Sequence, residues 1–323
     1  MSKEIELKMI ALPGAVKLLL PGLLSRLGVI EVKEAWLANT YFDTCDLLLN
    51  KACVALRIRQ KGDRFIQTLK TKGETIGGLS RRGEWEWDVP QNKLDVALLR
   101  EGGWPDGMPV DSLVEVFETN FKRTSAIVEY QGARIELAFD DGYISAGEIK
   151  APLAEIELEI IEGEVDRLFD VAAIIAKTMP VMLSDISKAE KGYRLRNKGV
   201  SNQFSYSFGS IGCHKAYVKG LVSRNLSHWL FLVDRLGESF SVCSLIDLVG
   251  VLIALREVIG AYEYVDDGVS FEYLELIDLE IKSLSAALED VLVGGQTFDL
   301  DGLLSSGRAG VLSIELSRWL RGL

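Results

Sequence analysis

Glu4-Ile5-Glu6-Leu7-Lys8 alternates charged and apolar side chains at a period of two, the repeat of a strand with one apolar and one polar face. The same repeat returns in Val54-Ala55-Leu56-Arg57-Ile58-Arg59 and Phe65-Ile66-Gln67-Thr68-Leu69-Lys70. It returns again in Arg82-Gly83-Glu84-Trp85-Glu86-Trp87-Asp88, Arg134-Ile135-Glu136-Leu137-Ala138-Phe139 and Glu155-Ile156-Glu157-Leu158-Glu159-Ile160. Lys61-Gly62-Asp63-Arg64 and Asp140-Asp141-Gly142 read as hairpin turns, so the strands are expected to be antiparallel. One such strand is ordinary, because a half-buried strand sends its polar face to water. Six together are not. One face of the sheet would gather Lys8, Arg57, Arg59, Lys70, Arg82 and Arg134 with Glu4, Glu6, Glu136, Glu155, Glu157 and Glu159.

If that sheet curls to closure, the charged face becomes an interior and the apolar face is covered from outside. Covers are available at 15–27 and 166–177, where Leu18, Leu19 and Leu23, then Leu168, Phe169, Ala172 and Ile175, recur at helical spacing. Inside such a barrel, like charges about 6 Å apart at an effective dielectric near 20 repel by roughly 3 kcal/mol per pair. Counter-charges or a ligand must compensate. A polyanion carrying a divalent cation satisfies both signs: Arg and Lys grip phosphate oxygens, and converging carboxylates supply the oxygen ligands that Mg²⁺ or Mn²⁺ prefers.

The ordered set of motifs resembles the CYTH, or triphosphate tunnel metalloenzyme, superfamily. Glu4-Ile5-Glu6-Leu7-Lys8 is similar to its ExExK signature, and Leu56-Arg57-Ile58-Arg59, Thr68-Leu69-Lys70, Ser80-Arg81-Arg82, Arg134-Ile135-Glu136, Glu155-Ile156-Glu157-Leu158-Glu159 and Ser187-Lys188 follow in the order of its strand motifs. The resemblance is to the bacterial inorganic triphosphatase branch, in which a CYTH domain precedes a CHAD domain. It implies an α+β protein, with an eight-stranded antiparallel tunnel, a requirement for Mg²⁺ or Mn²⁺, and a small triphosphate or short polyphosphate as substrate. It further implies Glu4, Glu6, Glu155 and Glu157 as metal ligands, and Lys8, Arg57, Arg59, Lys70, Arg82, Arg123, Arg134 and Lys188 as phosphate binders. Glu4, Glu6, Lys8 and Lys188 fall in the catalytic set, Glu4 positioning the water if a second metal does not. Arg82 takes precedence over Arg81 because it shares the parity of Glu84 and Glu86. Glu159 has inward parity but is placed near the tunnel mouth. Adenylate cyclisation, hydrolysis of a nucleoside or thiamine triphosphate, and non-catalytic polyanion sensing are alternatives on the same fold.

The rest of the chain sets bounds. Its 323 residues favour two domains, with the boundary near 200 in a Ser-, Gly- and Asn-rich stretch at 197–210. Residues 1–199 form the tunnel domain. Residues 200–323 read as about four helices, near 211–237, 241–262, 270–292 and 300–321. This all-α part carries 9 Lys and Arg against 16 Asp and Glu and only His214 and His228. It resembles a short, degenerate CHAD module with a scaffold or homodimerisation role, and its acidity disfavours polyphosphate binding there. A net charge of -11 disfavours nucleic acid as a partner. The absence of a long apolar run and of a leader-like start points to a cytoplasmic protein without membrane contact. Four cysteines without a CxxC pair are expected to be reduced and buried. Trp85 and Trp87 should face outward beneath a helix or the second domain. Gly73-Glu74-Thr75-Ile76-Gly77-Gly78-Leu79 lacks a phosphate-loop context and reads as a mobile hairpin near the tunnel entrance.

Overall fold

The computed structural model describes residues 2–12, 14–29, 31–197, 214–263, 271–294 and 298–322. Among them ten strands form one antiparallel sheet: β1 (Ser2–Ala11), β2 (Val32–Thr44), β3 (Ala55–Lys61), β4 (Arg64–Lys70), β5 (Glu74–Ile76), β6 (Leu79–Val89), β7 (Leu113–Tyr130), β8 (Ala133–Ala146), β9 (Ile149–Glu162) and β10 (Val181–Leu183). The order is β10-β1-β9-β8-β7-β2-β3-β4-β6-β5, and β1 pairs with β6 as well. Eight strands therefore close into a barrel, with β5 and β10 as short additions. β1 makes the closure by changing partners along its length: Glu4 lies opposite Arg82 of β6, Lys8 opposite Glu157 of β9, and Ile10 opposite Met182 of β10.

The helices are α1 (Ala15–Arg26), α2 (Leu48–Lys51), α3 (Val96–Glu101), α4 (Asp166–Ala176), α5 (Lys188–Arg196), α6 (His214–Glu238), α7 (Val242–Glu263), α8 (Phe271–Gly294), α9 (Leu300–Ser305) and α10 (Arg308–Gly322). Together with the closed barrel they make an α+β protein. The core is on the outside of the barrel: Leu7, Met9, Ile135, Leu137, Phe139, Ile156 and Leu158 point away from its axis and are buried under α1, α4 and the C-terminal helices. Leu56, Ile58 and Leu69 are covered by α2, α3 and Trp104, with Trp85 and Trp87 packed on the same cluster. The indoles are thus half-buried beneath α3, and a Cβ at Gly103 would lie 2.6 Å from the Trp85 ring.

Several expectations change. Gly62 turns β3 into β4 with a positive φ of 60°, but Asp140-Asp141-Gly142 is no turn. It lies within β8, opposite Lys122 and Arg123 of β7. The true reversals are Gln131-Gly132 and Gly147-Glu148, where Gln131, Gly132 and Gly147 have positive φ. Gly142 serves close approach instead, since a Cβ there would meet the Asn120 carbonyl oxygen at 2.2 Å. The hairpin from Gly73 is anchored: Ser317 Oγ donates to the Gly77 carbonyl at 2.8 Å, and Gly78 N–H donates to Asp185 at 2.6 Å. Ser187-Lys188 starts a helix rather than a strand, with Ser187 Oγ capping Glu190 N–H at 3.1 Å. The fourth C-terminal helix is split into α9 and α10 at Gly307, whose φ is 69°. Cys45, Cys53 and Cys243 are exposed rather than buried, because each sits in a turn or on a helix's solvent side. Cys213 and the proposed boundary near 200 lie outside the described residues.

The C-terminal helices and the barrel share one hydrophobic cluster, in which Trp229, Leu252 and Leu312 join Leu7 and Phe169. Asp185 takes Ser227 Oγ at 2.8 Å, and Arg318 and Arg321 reach Asp170 and Asp166 at 3.0 and 2.9 Å. Among the described residues no helix is long and apolar enough to cross a membrane.

Candidate active site

The barrel encloses a cavity of about 350 Å³. Its lining has seven cations, Lys8, Arg57, Arg59, Lys70, Arg82, Arg123 and Lys188, and seven carboxylates, from Glu4, Glu6, Glu84, Glu86, Glu136, Glu157 and Glu159. The formal charge is balanced, so what matters is how the signs are distributed.

One end is filled by α5. Tyr41 and Phe117, both inward, stack at 4.5 Å, and Tyr193 of α5 packs edge-on against Phe117 at 5.0 Å. The helix backbone comes so close that a Cβ at Gly192 would lie 2.1 Å from the Phe117 ring. Tyr193 donates its hydroxyl hydrogen to Asp43 at 2.8 Å. This seat aims the first residue of α5, Lys188, into the cavity.

On the β1, β6 and β9 side most carboxylates are held by cations, Glu159 being the exception on β9. Glu4 takes Lys70 Nζ at 2.8 Å and Arg82 Nε at 3.1 Å, and Glu6 takes Arg82 Nη2 at 2.6 Å. Lys70 also reaches Glu84 at 3.1 Å. Arg123 makes a two-pronged contact with Asp140, both distances 2.7 Å, and touches Glu157 at 2.6 Å. Lys188 sits among Asp140, Glu155 and Glu157 at 2.8, 2.9 and 2.7 Å. Burial alone raises a carboxyl pKa, yet Lys70 and Arg82 outweigh it at Glu4, which is lowered. At Glu155 burial is outweighed by Lys188, Lys191 and Lys8, bringing it to about 2.

The β2 and β3 side is different. Arg57 and Arg59 are opposite Tyr41 and Asn39 in the ladder, and neither forms an ion pair with a carboxylate among the described residues. Arg59 Nε donates to Asn39 Oδ1 at 2.9 Å, a neutral partner, and the buried Nε of Arg57 has no partner at all. Burial, with Arg57 and Arg123 nearby, pulls the Arg59 guanidinium down to about 9. Burial raises the Tyr41 hydroxyl, but Arg57, Lys188 and Arg59 outweigh it and lower it. Glu84 and Glu86 act on Arg57 only through space.

Two placements differ from the sequence reading. Arg134 is exposed at the β7–β8 hairpin and outside the cavity lining; a register shift between Arg134 and Ile135 separates it from the inward ladder. Glu155 has inward parity but lies too deep, fully buried behind Lys188 and Lys191. Glu159, opposite Glu6 and Glu136, does line the cavity. Burial, then Glu4, Glu6 and Glu136, push its carboxyl up to about 7. Glu136 and Glu159, both read on the charged face by their parity, are in the lining. Arg81 faces a separate cavity of about 510 Å³ between β6, α6 and α10.

The described residues hold no group of three Asp, Glu, His or Cys side chains already gathered as for a metal, because Glu4, Glu6 and Glu157 are turned onto Arg and Lys. Their chemistry still fits a hard divalent cation, being all carboxylate oxygen. The raised Glu159 carboxyl marks the place where negative charge is in surplus.

Residues 2–193 match the family model for the CYTH domain. The chain belongs to the CYTH family. The matched residues end within α5, so they include every charged strand of the CYTH barrel and the helix that fills it, and stop before α6. An inorganic triphosphatase of Haemophilus influenzae is 37% identical over 199 residues, 61% of this chain and 56% of that protein; the chain thus spans about half the length of this relative. A Hippeastrum protein described as a putative adenylyl cyclase with a dominant triphosphatase activity matches 59% of the chain and 95% of its own, at 22% identity and a TM-score of 0.45. A putative adenylate cyclase of Bacillus halodurans matches 55% of the chain and 91% of its own, at 25% identity and a TM-score of 0.34.

Proposed function

We propose that the chain is a divalent-metal-dependent inorganic triphosphatase that cleaves tripolyphosphate to pyrophosphate and phosphate. The observation that carries this is the division of the cavity, with Arg57 and Arg59 free of contacting carboxylates on one side, among the described residues, and carboxylates clustered against cations on the other. A linear polyanion fits that division, and its CYTH relative from Haemophilus influenzae bears the same activity in its name.

Arg57 and Arg59 would bind phosphate oxygens in a site closed from bulk water at the α5 end, where charge stabilisation is strongest. Lys8, Lys188, Arg123, Arg82 and Lys70 would neutralise further oxygens, at the expense of the ion pairs they now make. Glu4, Glu6, Glu157 and Glu159 would hold Mg²⁺ or Mn²⁺. When bound, the metal supplies a positive charge that orients the triphosphate and offsets charge on the leaving pyrophosphate. Water attacks the terminal phosphorus as the P–O bond to the leaving pyrophosphate breaks, its proton passing to a phosphate oxygen and on to solvent, and no residue is transiently phosphorylated. Glu4, with its lowered pKa, suits the role of orienting that water by accepting its hydrogen bond rather than of taking its proton. Tyr41 is the one aromatic residue of the lining, and it faces Arg57, so the cavity offers no free ring on which a base would stack.

Phosphate release from tripolyphosphate, ATP and thiamine triphosphate, each with Mg²⁺, Mn²⁺ or EDTA, tests the reading. Metal-dependent turnover favouring tripolyphosphate is expected. Preference for ATP moves the assignment to cyclase or nucleotidase chemistry, and binding without turnover to a sensor.

A further inference from the structure

Lys188 and Lys191 lie one turn apart on α5 and divide the two oxygens of Glu155 between them: Lys188 meets Oε2 and Lys191 meets Oε1, both at 2.9 Å. On its other side Lys191 reaches Asp234 Oδ1 at 3.5 Å, and Asp234 Oδ2 receives Arg194 Nη1 at 2.9 Å. Asp234 belongs to α6, beyond the residues that match the CYTH model, and is only 6% exposed. An unbroken line of ion pairs thus runs Glu157, Lys188, Glu155, Lys191, Asp234, Arg194, from the cavity lining to the C-terminal helices. Buried charges in such a line cannot shift singly, because each would abandon a desolvated partner.

We infer that Asp234 is a positioning residue for the tunnel, supplied by the C-terminal helical region: it holds Lys191, which fixes Glu155, which in turn sets where Lys188 stands in the cavity. Without Asp234, Lys191 has only Glu155 as a close acidic partner and draws it from Lys188, whose amine is then shared between Asp140 and Glu157 alone. Lys188 is displaced and its grip on phosphate weakens. The inference rests on the reading that the cavity takes tripolyphosphate.

The sign of the effect separates this role from two others. Were Asp234 merely a nearby negative charge, neutralising it would improve polyanion binding and lower KM. Were it merely structural, Tm would fall and KM of the folded fraction would stay. The full chain is compared with Asp234→Asn and Asp234→Glu for Tm, for KM and kcat on tripolyphosphate with Mg²⁺, and for calorimetric binding of tripolyphosphate in EDTA. Asp234→Asn is expected to raise KM and weaken metal-free binding about tenfold, in the range of other orienting partners, and Asp234→Glu to recover most of it. A folded Asp234→Asn protein with unchanged or lowered KM overturns the inference. If that variant does not fold, Asp234→Asn combined with Arg194→Gln removes one charge of each sign and is judged by the same rise in KM. A wild-type chain that binds tripolyphosphate without cleaving it overturns the hydrolase reading alone, and the relay is read from the affinities; one that does not bind overturns both.

Discussion

The two walls of the cavity are built from the same residue types and solve opposite problems. Against the carboxylates of β1, β8 and β9, Arg82 of β6, Arg123 of β7 and Lys188 of α5 are spent on the protein itself, with contacts of 2.6 to 3.1 Å. Along β2 and β3, Arg57 and Arg59 have no carboxylate in contact among the described residues: Asn39 and Tyr41 are their near partners, and Glu84 and Glu86 act on them only across the cavity. The first wall holds the barrel's interior together, and the second is held in place by it. A buried cation therefore announces a binding role less by its charge than by the absence of its counter-charge.

The sharpest way to break this contrast is at Arg123. Arg123→Ala strands Asp140 and Glu157, which Lys188 then neutralises only in part. A loss of about 3 kcal/mol is expected, measured as a Tm drop of about 6–12 °C; an unchanged Tm would mean the paired wall is not structural. Glu6→Gln should leave the fold intact, since Arg82 keeps Glu4, while metal-dependent turnover falls by about a hundredfold or more. Unaltered kcat would remove Glu6 from the site. Arg59→Ala should do the reverse of Arg123→Ala, raising KM for tripolyphosphate about tenfold, or about 1.4 kcal/mol, while raising the apo Tm. Because the Arg59 pKa is lowered in the fold to about 9, its charge costs stability below that pH and the cost fades as pH rises through it. The Tm gain of the variant should accordingly shrink above pH 9, and a gain that grows there would contradict the assignment. The smallest effect is expected for Glu159→Gln. A carboxyl raised to about 7 costs stability above that pH and is relieved as pH falls through it. The metal-free variant should melt about 1–2 °C higher than wild type at pH 8, and the difference should narrow as pH falls to 5.5, as differential scanning calorimetry would read.

Much of this was legible in the sequence, and the misses have physical causes. The strands carrying Glu4, Arg57, Lys70, Arg82, Glu136 and Glu157 declare themselves by period two, because one face is charged and the other is core. β2 and β7 do not: Tyr41 and Asp43 are buried by α5 inside the barrel, while Leu37, Phe117 and Phe121 are apolar on the inward face, so the alternation is lost there. Asp140-Asp141-Gly142 has the composition of a turn, yet Asp140 is needed by Arg123 and Gly142 by the close approach of β7. Parity placed Glu155 and Arg134 correctly on a charged face but carried no depth, and depth decides that Glu155 lies under α5 and that Arg134 stands outside. The pairing of Asp234 with Lys191 joins residues 43 positions apart in sequence, and no local pattern could announce it.

The changing partners of β1 also bear on how the chain is made. β1 finds its ladder only in residues 79–84, 155–159 and 181–183, all synthesised after it. At 5–20 residues per second, roughly 10 to 40 s pass before its last partner has been synthesised. Through most of that interval Met9 lacks its partners Ile156 and Leu183, and the C-terminal helices that complete the cover come later still. Barrel closure is thus a late, long-range event in biogenesis, and β1 is the segment a chaperone has most reason to hold.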